Sequence, residues 1–364
     1  MPDWTVLKLE MASCWKVSWK VDPLPLSAPS GGSTTSPAGG STTSGAALNG
    51  TLNGSGSTFQ LTFQQEAISS FKTVQSGMTV NYGGGGSGKG RTDLASGTVN
   101  YAGSDSTIPT AEEANFKGKT VLYFPVIVGP ITLSYNLSGL SKPLQLSAPV
   151  IAGIFDGKIT KWNDPAIAAD NSGVTLPSTA IAIAVRSDSS GTTANFTKFL
   201  TEAAGSAWTL GSSSIVKWPA SAHAASGNGG VAQVIKSTPG AIGYVDYSTA
   251  KASSLTYASI KNKDGSYIAP SVESATAAAD NATLKPDDTF SAIWAPGATS
   301  YPITYQSYVL VYQTQSSAND AAMLKAYIGY LLGDGQKLLP QLNYAPLPSN
   351  IDQQAQAQLS KIGM

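Results

Sequence analysis

The chain has 364 residues, of which 41% are hydrophobic and only 12% are charged. This length fits two ordinary domains, and the hydrophobic fraction suffices for a packed core. Its 22 basic residues balance 22 acidic ones, so the formal net charge is zero and a general electrostatic attraction to nucleic acid is not expected. One cysteine rules out a disulfide framework and a cysteine-rich metal site, and one histidine argues against a histidine-based metal site or base. We therefore expect no metal and no cofactor.

The first 47 residues differ in composition from the rest, and we assign them to a leader followed by a tether. Residues 27–47 are mainly Ser, Thr, Gly, Pro and Ala, which cannot bury enough apolar area to offset the entropy of ordering, so a disordered tether is expected. Met11-Ala12-Ser13-Cys14 loosely resembles a bacterial lipobox, but three charged residues among the first ten interrupt the apolar segment of a signal peptide. Two interpretations stay open: Cys14 is a lipid anchor, or the true signal peptide is absent and Cys14 is incidental.

From Leu48 onward, strand-like runs alternate with helix-like runs. Apolar residues at helical spacing predict helices over 59–72, 193–204 and 321–332. Apolar and β-branched runs predict strands over 78–82, 98–105, 120–128, 131–137, 180–185, 241–247 and 302–312. The most apolar stretch, 120–133, contains two prolines and is shorter than the about 20 residues that a membrane-spanning helix needs. This alternation predicts an α/β architecture with helices packed on largely parallel sheets.

Four turns rich in Gly, Ser and Thr lead from strand-like segments towards helices, at 52–59, 83–90, 102–105 and 186–193. A helix N-terminus offers unpaired N–H groups and partial positive charge, and glycine lets an oxyanion approach that backbone. Ordinary N-capping is the alternative for each turn taken singly. Four such turns, one carrying an arginine and another an aspartate, favour a shared anion site. The second turn nearly spells a P-loop, but Gly90 stands where a Ser or Thr should hold Mg²⁺, which argues against a nucleotide hydrolase.

Several strings of this chain resemble the periplasmic phosphate-binding proteins that supply bacterial phosphate ABC transporters. They run in family order and cover essentially everything after residue 50. The strings are GSGSTF (54–59), VNYGGGGSGKG (80–90), VNYAGSDSTI (99–108), VIAGIFDGKITKWNDPAIA (150–168), VRSDSSGTTANFTKFL (185–200), SIVKWP (214–219), GNGGVAQVIKSTPGAIGYVDY (227–247) and APLPS (345–349).

The resemblance implies an α/β, two-lobed fold of the periplasmic-binding-protein-like type II, the Venus flytrap of solute-binding proteins. Residues 48–130 plus 303–364 would form lobe I, and residues 131–302 would form lobe II. Two hinge crossings are expected near Gly129-Pro130 and Tyr301-Pro302. The family's ligand, inorganic phosphate, would lie in the cleft between the lobes.

The resemblance also implies a set of phosphate-binding residues in this chain. They are Thr58, Phe59 through its backbone N–H, Ser87, Asp105, Arg186, Ser190, Gly191 and Thr192. Arg186 would offer paired N–H donors to two phosphate oxygens, and Asp188 would orient it, cap a helix, or do both.

Asp105 would decide which anion binds, because a carboxylate beside a bound anion is repulsive unless the ligand shares a proton. Phosphate near neutral pH carries an O–H group and sulfate carries none, so sulfate would leave the buried acid unpaired. The alternative is that Asp105 only caps a turn at the surface.

The resemblance implies a phosphate receptor rather than an enzyme, with the membrane permease subunits of an ABC transporter as partners. The protein would be exported, to the periplasm or the outer face of the cell membrane, and act as a monomer. Two alternatives stay open: a secreted phosphatase using a serine of the 187–192 turn, and a receptor for another oxyanion such as sulfate. A serine nucleophile needs an adjacent base, and His223 lies in a Gly/Ala/Ser-rich run typical of a surface loop.

Overall fold

The computed structural model describes residues 48–364, so the predicted leader, the tether and Cys14 lie outside the described residues. The strands are β1 (Gly50–Gly56), β2 (Met78–Gly83), β3 (Tyr101–Ser104), β4 (Val121–Tyr135), β5 (Gln145–Leu146), β6 (Ala182–Arg186), β7 (His223–Ala225), β8 (Ala241–Asp246), β9 (Thr256–Tyr257), β10 (Ser259–Lys261), β11 (Tyr267–Ile268) and β12 (Thr304–Tyr312). The helices are α1 (Leu61–Val74), α2 (Ser87–Ser96), α3 (Thr110–Glu113), α4 (Ala148–Phe155), α5 (Pro165–Asp170), α6 (Gly191–Ala203), α7 (Gly227–Ser237), α8 (Tyr247–Ala252), α9 (Val272–Asp280), α10 (Ala318–Leu332) and α11 (Ser349–Gln358). Within this part of the chain, no helix is both long and apolar enough to cross a membrane.

The larger sheet has the strand order β2-β1-β3-β12-β4-β8-β6-β7, with β9 also pairing with β4. Strand β4 joins its two parts, because it pairs with β12 up to Pro130 and with β8 and β9 from Ile131 onward. We call β2, β1, β3, β12 and β4 up to Pro130 the first half-sheet, and β4 from Ile131 with β8, β6, β7 and β9 the second half-sheet. Strands β5, β10 and β11 form a separate small sheet.

The predictions of two strands at 120–128 and 131–137, and of largely parallel sheets, are wrong. One continuous strand, β4, covers this region, and its pairings with β12, β8 and β9 are all antiparallel. Proline lacks an N–H, so it normally interrupts a ladder. Here Pro130 lies where β4 changes its partner strand, so the absent backbone N–H falls where one ladder of hydrogen bonds ends and the next begins. The outer pairs β1–β2, β1–β3, β6–β7 and β6–β8 are parallel, which makes the sheet mixed.

Residues 102–104 form the end of β3 rather than a turn. They pair in parallel with β1 and antiparallel with β12, which keeps the backbone extended through Ser104. The strands approach closely here, since a Cβ on Gly56 would lie 2.1 Å from the carbonyl oxygen of Gly103. Gly56 also has a φ of 134°, which L-residues rarely adopt. Asp105 therefore follows the strand directly and is held by its end.

The three predicted helices exist, with start positions that differ by two or three residues. Helix α1 buries Phe63, Ala67 and Phe71, which are spaced four residues apart and therefore lie on one face, as in an amphipathic helix. Helix α10 begins at Ala318 because Ser317 caps it, accepting a hydrogen bond from the backbone N–H of Asp320. Such caps lie in polar segments, which periodicity of apolar residues does not detect.

The topology brings several helix N-termini to the junction between the two half-sheets. Strands β1, β2, β6 and β7 lead, through short turns, into α1, α2, α6 and α7 respectively. Strands β1 and β2 run in the direction of β4, whereas β6 and β7 run opposite to it, so the carboxyl ends of both pairs point toward the place where β4 changes partner. This arrangement places polar turns from both half-sheets opposite one another.

Candidate functional site

Asp105 lies at the centre of a buried cluster of hydroxyl groups, with 1% of its surface exposed. Ser57 and Ser307 each donate a hydrogen bond of 2.5 Å to its Oδ1 atom. Ser87, the first residue of α2, donates a longer bond of 3.3 Å to Oδ2 and accepts one of 3.1 Å from the Asp105 N–H. Oδ1 thus has two short donors, whereas Oδ2 retains capacity to accept a further hydrogen.

Burial raises the pKa of Asp105 to about 6. The hydroxyls of Ser307, Ser57 and Ser87 and the positive charge of Arg186 act in the opposite direction without cancelling the effect of burial. Asp105 therefore ionises within about a pH unit of neutrality, and its carboxyl is neither a surface cap nor a fully paired salt bridge. The alternative of an exposed turn cap is excluded by this burial.

Arg186 ends β6 and is 5% exposed. Its guanidinium donates to both carboxylate oxygens of Asp188, from Nε at 2.8 Å and from Nη2. Its Nη1 donates to Asn228 Oδ1 at 2.9 Å and lies 3.5 Å from Thr192 Oγ1. Although burial alone would raise the pKa of Asp188, the Arg186 guanidinium holds it below its ordinary value. The arginine is fixed on several sides, so its orientation is set before any ligand arrives.

The N-terminus of α6 packs directly against the Asp105 cluster. Ser190 caps this helix, its hydroxyl accepting from the Thr193 N–H at 3.1 Å. A Cβ built on Gly191 would lie 2.4 Å from Ser87 Oγ and 2.7 Å from Asp105 Oδ2, so only glycine fits here without movement. Across the same junction, the N–H of Gly88 donates to the carbonyl of Ser189 at 3.0 Å.

Thr58 and Phe59 lie just before α1, on the side of the first half-sheet. Thr58 Oγ1 accepts from the backbone N–H of Asn228 at 3.4 Å, which links it to the start of α7. The Phe59 N–H, assigned to phosphate by resemblance, donates here to Ser57 Oγ at 3.1 Å. The predicted residues therefore form one connected cluster, with the Phe59 amide engaged inside it.

Several residues of this cluster carry no sequence-based prediction. Ser57 is the neighbour of a predicted residue, and the GSGSTF string could have suggested it. Ser307 lies in an apolar strand 202 residues from Asp105, and only the pairing of β12 with β3 brings it near. Asn228, in the GNGG run, and Asn195, whose Nδ2 donates to the Asp105 carbonyl at 2.7 Å, likewise depend on tertiary structure.

A chain of buried polar contacts extends from Arg186 to the other side of the cluster. Asn228 Nδ2 donates to Asp246 Oδ2 at 2.6 Å, and Ser248 Oγ lies 2.7 Å from Asp246 Oδ1 and 2.8 Å from Tyr344 Oη. Tyr344 in turn donates to the carbonyl of Phe59 at 2.8 Å. Arg186 and the turn before α1 are thus connected by hydrogen bonds between residues of both half-sheets.

The hydroxyl groups and the guanidinium of this cluster are donors that can bind an anion. Among residues 48–364, no group of three or more His, Cys, Asp or Glu side chains could hold a metal ion. His223 is exposed and lies in β7, paired with Ala184, rather than in a loop. The serine hydroxyls near Asp105 donate to a carboxylate, and neutral donors around a guanidinium match a tetrahedral oxyanion.

Known proteins resemble this chain over most of its length. The family model of the PBP superfamily domain matches residues 40–335. The phosphate-binding protein PstS of Pasteurella multocida is 35% identical over 313 residues, covering 85% of this chain and 89% of that protein. Phosphate-binding protein PstS 3 of Mycobacterium leprae is 36% identical over 310 residues, covering 82% of this chain and 84% of that protein.

Solved structures share the fold at low sequence identity. A periplasmic phosphate-binding protein, PfluDING, bound with phosphate, matches with a TM-score of 0.70 at 21% identity, covering 84% of this chain and 93% of that one. The phosphate-binding protein of Stenotrophomonas maltophilia matches with a TM-score of 0.67 at 20% identity, covering 85% and 94%. These likenesses show the predicted two-lobed α/β fold. On the matching family model and the sequence identity to its relatives, the chain belongs to the PBP superfamily and, within it, to the family of the phosphate-binding proteins PstS.

Proposed function

We propose that this protein binds inorganic phosphate in the cleft between two lobes and delivers it to an ABC importer. The observation that carries the proposal is the Asp105 cluster, in which a buried carboxyl lies against the start of α6 and within electrostatic reach of Arg186. The relatives named for phosphate binding support the choice of anion.

We place the lobe boundaries where the sequence predicts them, at 48–130 with 303–364 and at 131–302. The change of β4 from β12 to β8 between Pro130 and Ile131 supports the first boundary. Thr58, Phe59, Ser87 and Asp105 then belong to lobe I. Arg186, Ser190, Gly191 and Thr192 belong to lobe II, so a bound phosphate would be held from both sides.

The binding mechanism follows from the donors and the single acceptor. Arg186 would donate two N–H bonds to phosphate oxygens, with Asp188 holding its fork in place. The hydroxyls of Thr58, Ser87, Ser190 and Thr192 and the N–H groups of Phe59 and Gly191 would add neutral donors. For this, the Phe59 N–H would have to exchange its present acceptor, Ser57 Oγ, for a phosphate oxygen.

Asp105 would accept the hydrogen that phosphate still carries, through its less occupied Oδ2 atom. Sulfate lacks that hydrogen, so it would face an ionised carboxylate with no compensating bond. A site that depends on a ligand O–H rejects analogues without it by about 10⁴-fold or more. This favours phosphate over other oxyanions.

We further propose that the protein acts outside the cytoplasm, handing phosphate to the membrane permease subunits of the importer, and that it is a receptor and not an enzyme. The relatives that are named as phosphate-binding proteins support the second point. A colorimetric phosphatase assay should show no turnover above a buffer blank.

Isothermal titration calorimetry tests the proposal directly, using protein freed of bound anion by unfolding, dialysis and refolding. We expect tight, saturable phosphate binding with one site per chain, and no competition by a large excess of sulfate at pH 8. Absence of phosphate binding by correctly refolded protein would contradict the proposed function, and equal affinity for sulfate would contradict the role of Asp105.

A further inference from the structure

Strand β12 presents one face to the side chain of Asp105 and the other to a cavity. Successive side chains of a strand point to opposite faces, so Tyr305 and Ser307 share one face while Gln306 and Tyr308 share the other. Ser307 donates to the Asp105 carboxylate, which identifies its face as the site face. Gln306 and Tyr308 line a cavity of about 540 Å³, whose wall Asp105 and Asn195 also reach. Tyr305 therefore lies on the wall of the site.

The Tyr305 side chain is fully buried, and its hydroxyl has no hydrogen-bond partner. Its ring stacks on Phe59, with the centroids 4.2 Å apart and the planes at 28°. A buried hydroxyl without a partner is unusual, because leaving it unpaired costs free energy that a phenylalanine would avoid. Packing alone therefore accounts for the ring and not for the hydroxyl.

The groups that act electrostatically on this phenol belong to the site. Burial raises the pKa of Tyr305 well above its ordinary value, and the negative charges of Asp105 and Asp246 raise it further. A weak hydrogen-bonding interaction with the Thr192 hydroxyl, too loose to count as a formed bond, acts in the opposite direction, so the phenol lies close to the start of α6. Tyr305 thus keeps its proton and faces residues from both half-sheets that surround the proposed anion.

We propose that Tyr305 is a further phosphate-binding residue, whose phenolic O–H donates to an oxygen of the bound anion. The Tyr305 hydroxyl lies beside Thr192 without a well-formed hydrogen bond, and it would acquire a strong partner only when the anion is bound. This inference rests on the proposed function and adds a donor that the family resemblance does not supply.

The test compares Tyr305→Phe with Tyr308→Phe, a matched variant three positions further along β12 and on its opposite face. The Tyr308 hydroxyl is satisfied on the cavity side, accepting from the Phe290 N–H at 3.0 Å and donating to the Phe290 carbonyl at 2.9 Å. Phosphate affinity is measured by calorimetry, and the melting temperature of each anion-free protein by circular dichroism.

We expect Tyr305→Phe to weaken phosphate binding by roughly ten- to hundredfold, the value of a hydrogen bond to a charged group. The same variant should melt no lower than the wild type without phosphate, because an unpaired hydroxyl has been removed. Tyr308→Phe should melt lower and bind phosphate as the wild type does. This opposite response of stability and affinity is what a purely structural tyrosine would not give.

Two results would overturn the inference while leaving the proposed function intact. One is unchanged phosphate affinity in Tyr305→Phe. The other is a loss of affinity accompanied by a melting temperature as low as that of Tyr308→Phe, which would make Tyr305 a structural residue. If the wild-type protein itself binds no phosphate, the proposed function fails first, and this inference fails with it.

Discussion

Gly191 and Asp105 approach so closely that a side chain on the glycine has no space: a Cβ at Gly191 would lie 2.6 Å from the Asp105 Cβ. The two residues come from opposite sides of the proposed cleft, at the start of α6 and the end of β3. The contact brings the N-terminus of a 13-residue helix against the buried carboxyl. This close approach depends on a residue without a side chain.

Gly191→Ala should therefore weaken phosphate binding without unfolding the protein. Overpacking costs about 1–3 kcal/mol. If this cost falls on the phosphate-bound protein alone, it corresponds to a loss of roughly five- to 150-fold in phosphate affinity. Gly229→Ala is the matched control, because Gly229 also lies in the first turn of a helix but has no atom within 4 Å of the added Cβ. Calorimetry on both variants gives the comparison, and equal affinity in the two would contradict the close packing.

Arg186→Lys tests whether the planar guanidinium matters beyond its charge. Lysine keeps the positive charge but cannot bond Asp188 with two N–H groups and reach Asn228 as well. Phosphate affinity should fall by roughly ten- to hundredfold, as expected for lost charge-assisted hydrogen bonds. Titration calorimetry measures the fall, and far-UV circular dichroism verifies the fold. Wild-type affinity in a folded Arg186→Lys protein would show that charge alone is required.

The pKa of Asp105 makes the stability of the anion-free protein depend on pH. Its pKa rises from 3.8 to about 6 on folding, so between these values the folded chain binds more protons than the unfolded chain. Stability then decreases as the pH rises through this window, and above it the ionised carboxyl costs up to about 3 kcal/mol. Asp105→Asn removes this cost, so its stability advantage over the wild type should grow from pH 4 to about pH 6 and level off above.

Urea denaturation of both anion-free proteins at several pH values measures that difference. Asp105→Asn also weakens the hydrogen bonds with Ser57, Ser87 and Ser307. This lowers its free energy of unfolding by the same amount at every pH, so the dependence on pH keeps its shape. A difference that does not vary between pH 4 and pH 8 would mean that Asp105 titrates as an ordinary carboxyl.

Sulfate binding should depend on the same titration. Below about pH 6, Asp105 is protonated in the anion-free protein and can donate its hydrogen to a sulfate oxygen. Above that pH, the ionised carboxylate repels sulfate. We therefore expect sulfate to compete with phosphate only in acidic buffer, as measured by displacement titrations from pH 5 to pH 8. Sulfate competition that is equally weak, or equally strong, at every pH would contradict this.

The sequence predicted the turns of the site better than the scaffold between them. Turns 83–90 and 186–193 carry local signals, since Gly and Ser at a helix start have a direct physical meaning. The prediction of a turn over all of 52–59 is wrong, because β1 extends to Gly56 and only residues 57–60 connect it to α1. The α/β alternation was also correct. Strand β4 was not predicted as one element, because its prolines indicate a break unless the change of partner at Pro130 is known.

Residues that complete the site through tertiary contacts had no local signal. Ser307 lies in a strand whose pattern indicates only burial, and Tyr305 in the same strand is indistinguishable from a core aromatic residue. The lobe assignment and the phosphate-binding roles remain predictions, and they came from the family resemblance rather than from periodicity or composition.

We propose that above about pH 6, where Asp105 is ionised, an anion binds beside it only if that anion brings a hydrogen. The most direct test is the ratio of phosphate to sulfate affinity at pH 8, measured by calorimetry for the wild type and for Asp105→Asn. We predict a ratio of about 10⁴ or more for the wild type. In the variant the ratio should fall sharply, because an amide can donate to sulfate as well as to phosphate. The same ratio in both proteins would contradict the claim.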